Sequence, residues 1–361
     1  MWCGGIVSKI LIPLILIKNI IYLVKNKDTI NKKSIIILAF FAISILCGIL
    51  SFGINSNDII IFINILIVIM FSNNISKFTS EDREDIIEKI KYTIVFSVLL
   101  SGIWGLVNNA FFNDVRGSSV FVRFKGSYEP NFMALYINIG LITLYYLKEK
   151  FLEKKVLYYS IFTFFIIMLL MTSSITGFII FAILILIYLI KNRKFKLLGS
   201  LVVIGIIGVG VIIAKVNTKS DNKELGRIEM IIYKIENGEW DSLSSGRLPI
   251  ARNFLNSSFK RPILNILLGN GPDTKMIYSE YFKKDKYSHN TYIDFIYNFG
   301  VIGAIIILAY IIMNFRENKL LGMQVEDRKD SEYFSILKIA ILITSITLPL
   351  SNEMIFLLIF I

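Results

Sequence analysis

The chain has 361 residues, 55% of them hydrophobic and only 18% charged, with a mean hydropathy of +0.66; no soluble core could hide that much apolar surface. The formal net charge of +12 would suggest nucleic acid in a soluble protein. Here many basic residues sit in short loops between apolar runs, where membrane topology puts them, so nucleic-acid binding is set aside.

In chain order, apolar runs close to the roughly 20 residues that cross a bilayer predict spans at about 5–24, 34–54, 58–77, 92–112, 128–147, 156–172, 175–190, 197–214, 291–313, 333–350 and 352–361. The expected fold is an all-α polytopic transmembrane helical bundle of about 10–12 spans. N-terminal transmembrane helices occupy 1–214, a large extracytoplasmic loop with short helices 215–290, and C-terminal transmembrane helices 291–361. MWCGG lacks the pattern of a cleavable signal, which leaves the first helix as the insertion signal. Cys3 and Cys47 suggest neither a disulfide framework nor a metal pair.

Alternate loops must share a side, and positive charge favours the cytoplasm. One alternating set carries Lys25 to Lys33, Arg83 to Lys91, Lys148 to Lys155, Lys191 to Lys196 and Arg316 to Lys329, and is read as cytoplasmic. The other set is short at Asn55 to Asn57 and at Ser173 to Ser174, modest around Arg116 to Lys125 and long from Lys215 to Asn290; it is read as facing outward, with the N-terminus. Lys9 and Lys18 in the first segment are the only obvious deep charges, and no internal repeat is visible.

In the long outer loop, Leu225, Ile228, Ile232 and Ile235 fall at helical spacing and predict a surface helix. SSGRLPIARNFLNSSFKRP offers a serine cap, an early proline and the apolar line Ile250, Phe254, Leu255 and Phe259 before Pro262, which predicts a second helix with Arg247 and Arg252 on its first turns. LLGNGPD then makes a turn, and it lacks the lysine and setting of a phosphate cradle. Gly300 and Gly303 allow close helix packing.

Three groups of residues could carry chemistry. Glu129, Pro130 and Asn131 open a span from the outer side, where they either cap the helix or face a ligand. The outer loops also carry the cations Arg123, Lys125, Arg247, Arg252, Lys260 and Arg261; Arg123, Arg247 and Arg252 are preferred over the lysines, because a planar guanidinium grips phosphate oxygens bidentately. His289, the only histidine, lies where the outer loop re-enters the membrane. It is either a hydrated interfacial residue or a proton carrier, with the Asn290 amide beside it. No metal-ligand cluster or acidic DxD triplet is visible, and the clustered Tyr278, Tyr281, Tyr287 and Tyr292 read as an interfacial belt.

Four stretches together resemble the O-antigen polymerase and ligase family of membrane glycosyltransferases: RFKGSYEPNFMA, LLMTSSITGFI, SGR followed by LLGNGPD, and SHNTYIDFIYNFGVIGA. Two positions depart from the family pattern. Ile175 stands where an arginine usually follows Thr-x-Ser, and Ile250 and Ala251 occupy the place of a common tryptophan. The resemblance implies a metal-independent, inverting polymerase of lipid-linked repeat units, or alternatively a ligase, in the bacterial cytoplasmic (inner) membrane with its active site outside. It implies no cofactor. His289 and Arg247 would be catalytic, and Arg123, Arg252, Glu129, Asn131 and Asn290 would bind substrate. The implied partners are an undecaprenyl diphosphate-linked glycan, an acceptor glycan, membrane lipid and other polysaccharide export proteins. A transporter or lipid flippase is the rival outside the enzyme class.

Overall fold

The computed structural model describes residues 32–52, 63, 66–67, 80–116, 119–126, 129–197, 199–200, 235–243, 246–271, 277–279, 283–321 and 328–348. The expected spans at 5–24 and 352–361, nearly all of 58–77 and 197–214, and the surface helix on Leu225, Ile228 and Ile232 lie outside these residues.

The described chain is mostly helical. Its ten α-helices are α1 (Lys32–Phe52), α2 (Ser80–Val107), α3 (Pro130–Tyr146), α4 (Lys155–Thr172), α5 (Ile175–Lys191), α6 (Trp240–Leu243), α7 (Arg247–Phe259), α8 (Ile263–Leu268), α9 (Thr291–Leu321) and α10 (Arg328–Thr344). Two antiparallel hairpins are added, β1 (Phe111–Arg116) with β2 (Ser119–Phe124) and β3 (Ile277–Ser279) with β4 (Lys284–Lys286). Neither hairpin is expected from the sequence. Phe111 and Phe112, read as the end of a span, belong to β1, and α2 stops at Val107.

Three of the described helices are long and apolar enough to cross a membrane: Glu84–Val107, Lys155–Thr172 and Thr291–Met313. Leu38–Leu50 and Ile175–Lys191 are shorter apolar helices. Large side chains such as Leu50, Phe96, Val156, Leu170 and Ile305 remain exposed on the outside of the bundle, as apolar solvent requires.

The centre of the bundle is α3, which packs against α2, α4, α5 and α10. Its apolar residues run all round the helix, so it is buried from Pro130 to Thr143 on nearly every face. Leu135, Ile139 and Ile142 join a core with Phe40, Phe41, Phe295, Phe299 and Tyr333. Met133, Ile137 and Leu141 join a second core with Val95, Val98, Phe165 and Met168. Small residues permit the closest approaches. A Cβ on Gly177 would lie 2.6 Å from that of Ala134, and one on Gly303 would lie 2.1 Å from the Phe40 ring.

The second glycine singled out by sequence, Gly300, does more. At φ 67°, ψ −178° it breaks α9, in a region of backbone space open only to glycine. The break frees the carbonyls of the turn before it, and the GNG turn takes them up. Asn270 N and Gly271 N donate to Asn298 O at 2.8 and 3.1 Å, and Asn270 Nδ2 donates to Tyr297 O at 2.9 Å. GNG is therefore a clamp on a broken helix.

At one end of the bundle, ion pairs join Lys91 to Asp330, Lys150 to Glu88 at 2.7 Å, Lys329 to Glu149 at 2.7 Å, and Lys191 to Glu332. Every one of these residues comes from a loop or helix end sorted into the basic set by sequence. The opposite end carries the polar residues that follow.

Candidate functional site

The opposite end is where α3, α5 and α9 begin and α4 and α10 finish. Five separated stretches of chain are fastened together there by hydrogen bonds.

The first is the β1–β2 hairpin. Phe124 is fully buried in the second core, and this anchor draws the preceding Arg123 inward until only 3% of it is exposed. Arg123 Nε donates to Thr172 O at 2.9 Å and Nη2 to Asn131 Oδ1 at 2.8 Å. A buried guanidinium needs such partners, because an uncompensated charge would cost several kcal/mol. Asn131 in turn donates to Glu129 Oε1 at 2.7 Å and accepts from Ser174 Oγ at 2.9 Å.

Side-chain capping plays no part where α3 starts. Pro130 starts α3, as its fixed φ favours, and Glu129 occupies the N-cap position without a side-chain cap hydrogen bond. The Asn131 amide bridges Arg123 and the Glu129 carboxylate, and Glu129 is exposed.

The α4–α5 connection is two residues long. Ser173 takes a left-handed conformation, φ 48°, to end α4, and the Ser174 hydroxyl caps α5 by accepting from Gly177 N at 3.2 Å. Two residues on, Thr176 accepts from Thr347 Oγ1 at 3.1 Å. This bond carries the network to the end of α10.

That end is held by the start of α9. Thr291 Oγ1 donates to Leu348 O at 2.7 Å, Thr291 N to Ser345 O at 2.9 Å, and Asn290 Nδ2 to Ile346 O at 3.0 Å. The Asn290 carbonyl oxygen also caps α9, accepting from Tyr292 N and Ile293 N at 2.9 and 3.1 Å. Both ends of this amide are thus engaged with the protein. The buried Ser288 hydroxyl donates to the fully buried Asp294.

His289 lies between these anchors with φ 53°, an uncommon backbone state for a side chain of its size. Burial, with smaller contributions from the charges of Arg247 and Lys286, pulls its pKa from 6.5 down to about 4. The imidazole is therefore neutral at physiological pH, able to accept one proton and to donate another. The influence of Arg247 on it also places the two residues in one neighbourhood, although 42 positions separate them in the chain.

Arg247 opens α7, behind a left-handed Gly246 with φ 77°; this helix has no side-chain cap, contrary to the expected serine. Ile250 and Phe254 dock α7 on Tyr297 of α9 and so fix where Arg247 emerges. Arg252, exposed, lies five residues on, about 140° around the helix, and pairs at 3.8 Å with the half-buried Asp241, a weak arrangement. Arg261 stacks 3.5 Å over the Tyr297 ring and donates to Tyr297 O and Ser257 O, which straps α7 to α9.

The structure thus brings Arg247 near His289, and ties Arg123, Glu129 and Asn131 to the same bundle end. Arg252 stands apart, and Asn290 acts on the backbone. Sequence reasoning passes over Ser174, Thr176, Thr347 and Asp294, although Asp294 is only five residues beyond the singled-out histidine. It also overlooks Lys338, 1% exposed within α10, so deep charge is not confined to Lys9 and Lys18, which lie outside the described residues. Among the described residues no group of three or more His, Cys, Asp or Glu side chains could hold a metal ion.

An apolar helical bundle with three helices long and apolar enough to cross a bilayer defines a membrane protein. Residues 159–308 match the family model described as O-antigen ligase, which supports the O-antigen polymerase and ligase family for this chain. No curated protein matches the sequence, and no solved structure matches it.

Proposed function

We propose that the chain polymerises lipid-linked polysaccharide repeat units, of the O-antigen or capsular and exopolysaccharide kind. Glycan would pass from an undecaprenyl diphosphate donor to an acceptor glycan on the outer face of the cytoplasmic membrane. The observation that carries this reading is the buried His289, whose proton affinity burial and, to a smaller degree, Arg247 lower, at the bundle end that also holds Arg123 and Asn131.

In this reading an acceptor hydroxyl attacks the anomeric carbon from the face opposite the diphosphate. Its proton passes to His289 as the new C–O bond forms, and the electron pair of the breaking C–O bond leaves with the diphosphate. Arg247 neutralises the charge developing on that leaving group, the largest electrostatic change in the step. Arg123 is already turned toward Thr172 and Asn131, so it shapes the pocket and adds positive potential. A base with pKa near 4 is weak, but the bound diphosphate would raise that value by attraction to the imidazolium. The histidine would then gain basicity when donor is present.

The description of the matched family as O-antigen ligase favours one second reading, transfer of finished polymer to another acceptor. The glycan profile of cells lacking the protein separates the readings. Polymerase predicts single repeat units left on the lipid carrier, ligase predicts unattached polymer, and cytoplasmic-face intermediates would replace both with a flippase.

A further inference from the structure

A second concavity lies at the other end of the bundle, beside the ion pairs. Its wall on α3 begins at Leu141, ten residues and so about 15 Å along the helix from Asn131, which puts it outside the site described above. It is a cavity of about 400 Å³ between α3, α4, α5 and α10, within the range of small-molecule sites. Its wall is almost wholly apolar and aromatic, formed by residues such as Leu141, Phe162, Phe181 and Leu184, and tyrosines 145, 158, 159 and 188 crowd its mouth.

We propose that this cavity binds an anionic phospholipid from the bilayer leaflet at that end, with an acyl chain inside and the phosphate at Lys148. Three observations converge on this occupant. The only acidic residue lining the cavity, Glu332, is already engaged by Lys191 and by the Tyr146 hydroxyl, so it presents no net repulsion to an anion. Lys148 lines the same rim, is exposed, and has no partner among the described residues. Lys194 adds a further cation, lying 5.1 Å over the Tyr188 ring and donating to its hydroxyl at 3.1 Å.

An apolar cleft rimmed by tyrosines and lysines at a membrane surface matches a lipid tail below and an anionic headgroup above. The isoprenoid tail of a lipid-linked glycan fits less well, because its diphosphate belongs at the far end, with Arg247. Setting the isoprenoid tail aside rests on the polymerase reading, whereas a test with phospholipids needs neither substrate nor a membrane orientation.

The purified full chain in detergent would be titrated with phosphatidylglycerol and with phosphatidylcholine of equal chain length, and bound lipid counted by native mass spectrometry. We expect selective retention of phosphatidylglycerol. Lys148→Ala should weaken it about fivefold, the loss expected when one lysine near an anionic group is removed, while leaving phosphatidylcholine unchanged. Ile185→Trp, which fills the cavity, should lower retention of both lipids. Should that variant misfold, Lys148→Ala alone decides, because the residue is exposed. Equal affinity for the two lipids would overturn the proposal, as would an unaffected Lys148→Ala. Displacement of phosphatidylglycerol by undecaprenyl phosphate would instead assign the cavity to the carrier.

Discussion

At the scale of single residues, the low pKa of His289 has two measurable consequences. Its folded value, about 4, lies below the 6.5 of the free side chain, so between these values the unfolded chain takes up a proton that the folded one refuses. The share of folding stability linked to His289 is therefore full above pH 6.5 and is lost as pH falls toward 4. His289→Gln should flatten that part of the stability profile, measured by thermal unfolding in detergent. Under the proposed mechanism, His289→Ala should leave the protein inserted but lower turnover by roughly 10²- to 10⁴-fold, as for other positioned bases; near-normal polymer in complemented cells would return the residue to an interfacial role. Arg247 can be probed by geometry. If it grips two phosphate oxygens, Arg247→Lys keeps the charge but loses the fork, and should be nearly as damaging as Arg247→Ala, by about 2–4 kcal/mol of transition-state stabilisation. Lys260→Ala, on the exposed end of α7, is the control, and equally mild effects from it and Arg247→Lys would reduce the loop to bulk charge.

At the scale of elements, the break at Gly300 makes a sharp prediction because a second glycine provides its reference. Gly238 and Gly300 share a positive φ, 66° and 67°, but a Cβ at 238 meets nothing within 4 Å, whereas one at 300 would lie 2.3 Å from Leu267 O. Gly238→Ala should cost about 1–2 kcal/mol, the left-handed penalty alone. Gly300→Ala must also push α8 off α9, and should lower the unfolding temperature markedly more. Similar shifts for the two variants would mean the clamp is soft. Such features mark the limit of what the sequence makes legible. The helices from α1 to α5 and the start of α9 could be read from apolar run length, and Pro130 announces α3, whereas Asn290, read as a substrate amide, caps α9. The β1–β2 hairpin could not, since Phe111 and Phe112 continue an apolar run and nothing local says that it has left the helix. Arg123 was visible as a candidate, yet its burial depends on a Thr172 carbonyl 49 residues away. Asp294 was hidden for the same kind of reason, its environment being made by the turn before α9.

At the scale of the whole molecule, the four ion pairs and the polar cluster define two ends, and orientation can be tested directly. A single cysteine at Lys284, in β4, should react with an impermeant thiol reagent in intact spheroplasts, and one at Lys150 only after lysis; labelling at Lys150 in intact cells would invert the topology. The family match begins at residue 159, so Arg123, Glu129 and Asn131 lie ahead of it although their partners Thr172 and Ser174 lie within it. That arrangement has an evolutionary consequence. Arg123, Asn131 and Ser174 each satisfy a polar group of another across stretches of chain that could otherwise drift independently, so a change at one leaves a buried group stranded. In descendants of this sequence these three positions should mutate as a set, while neighbouring lipid-facing positions such as Val156 and Leu170 exchange freely among apolar residues.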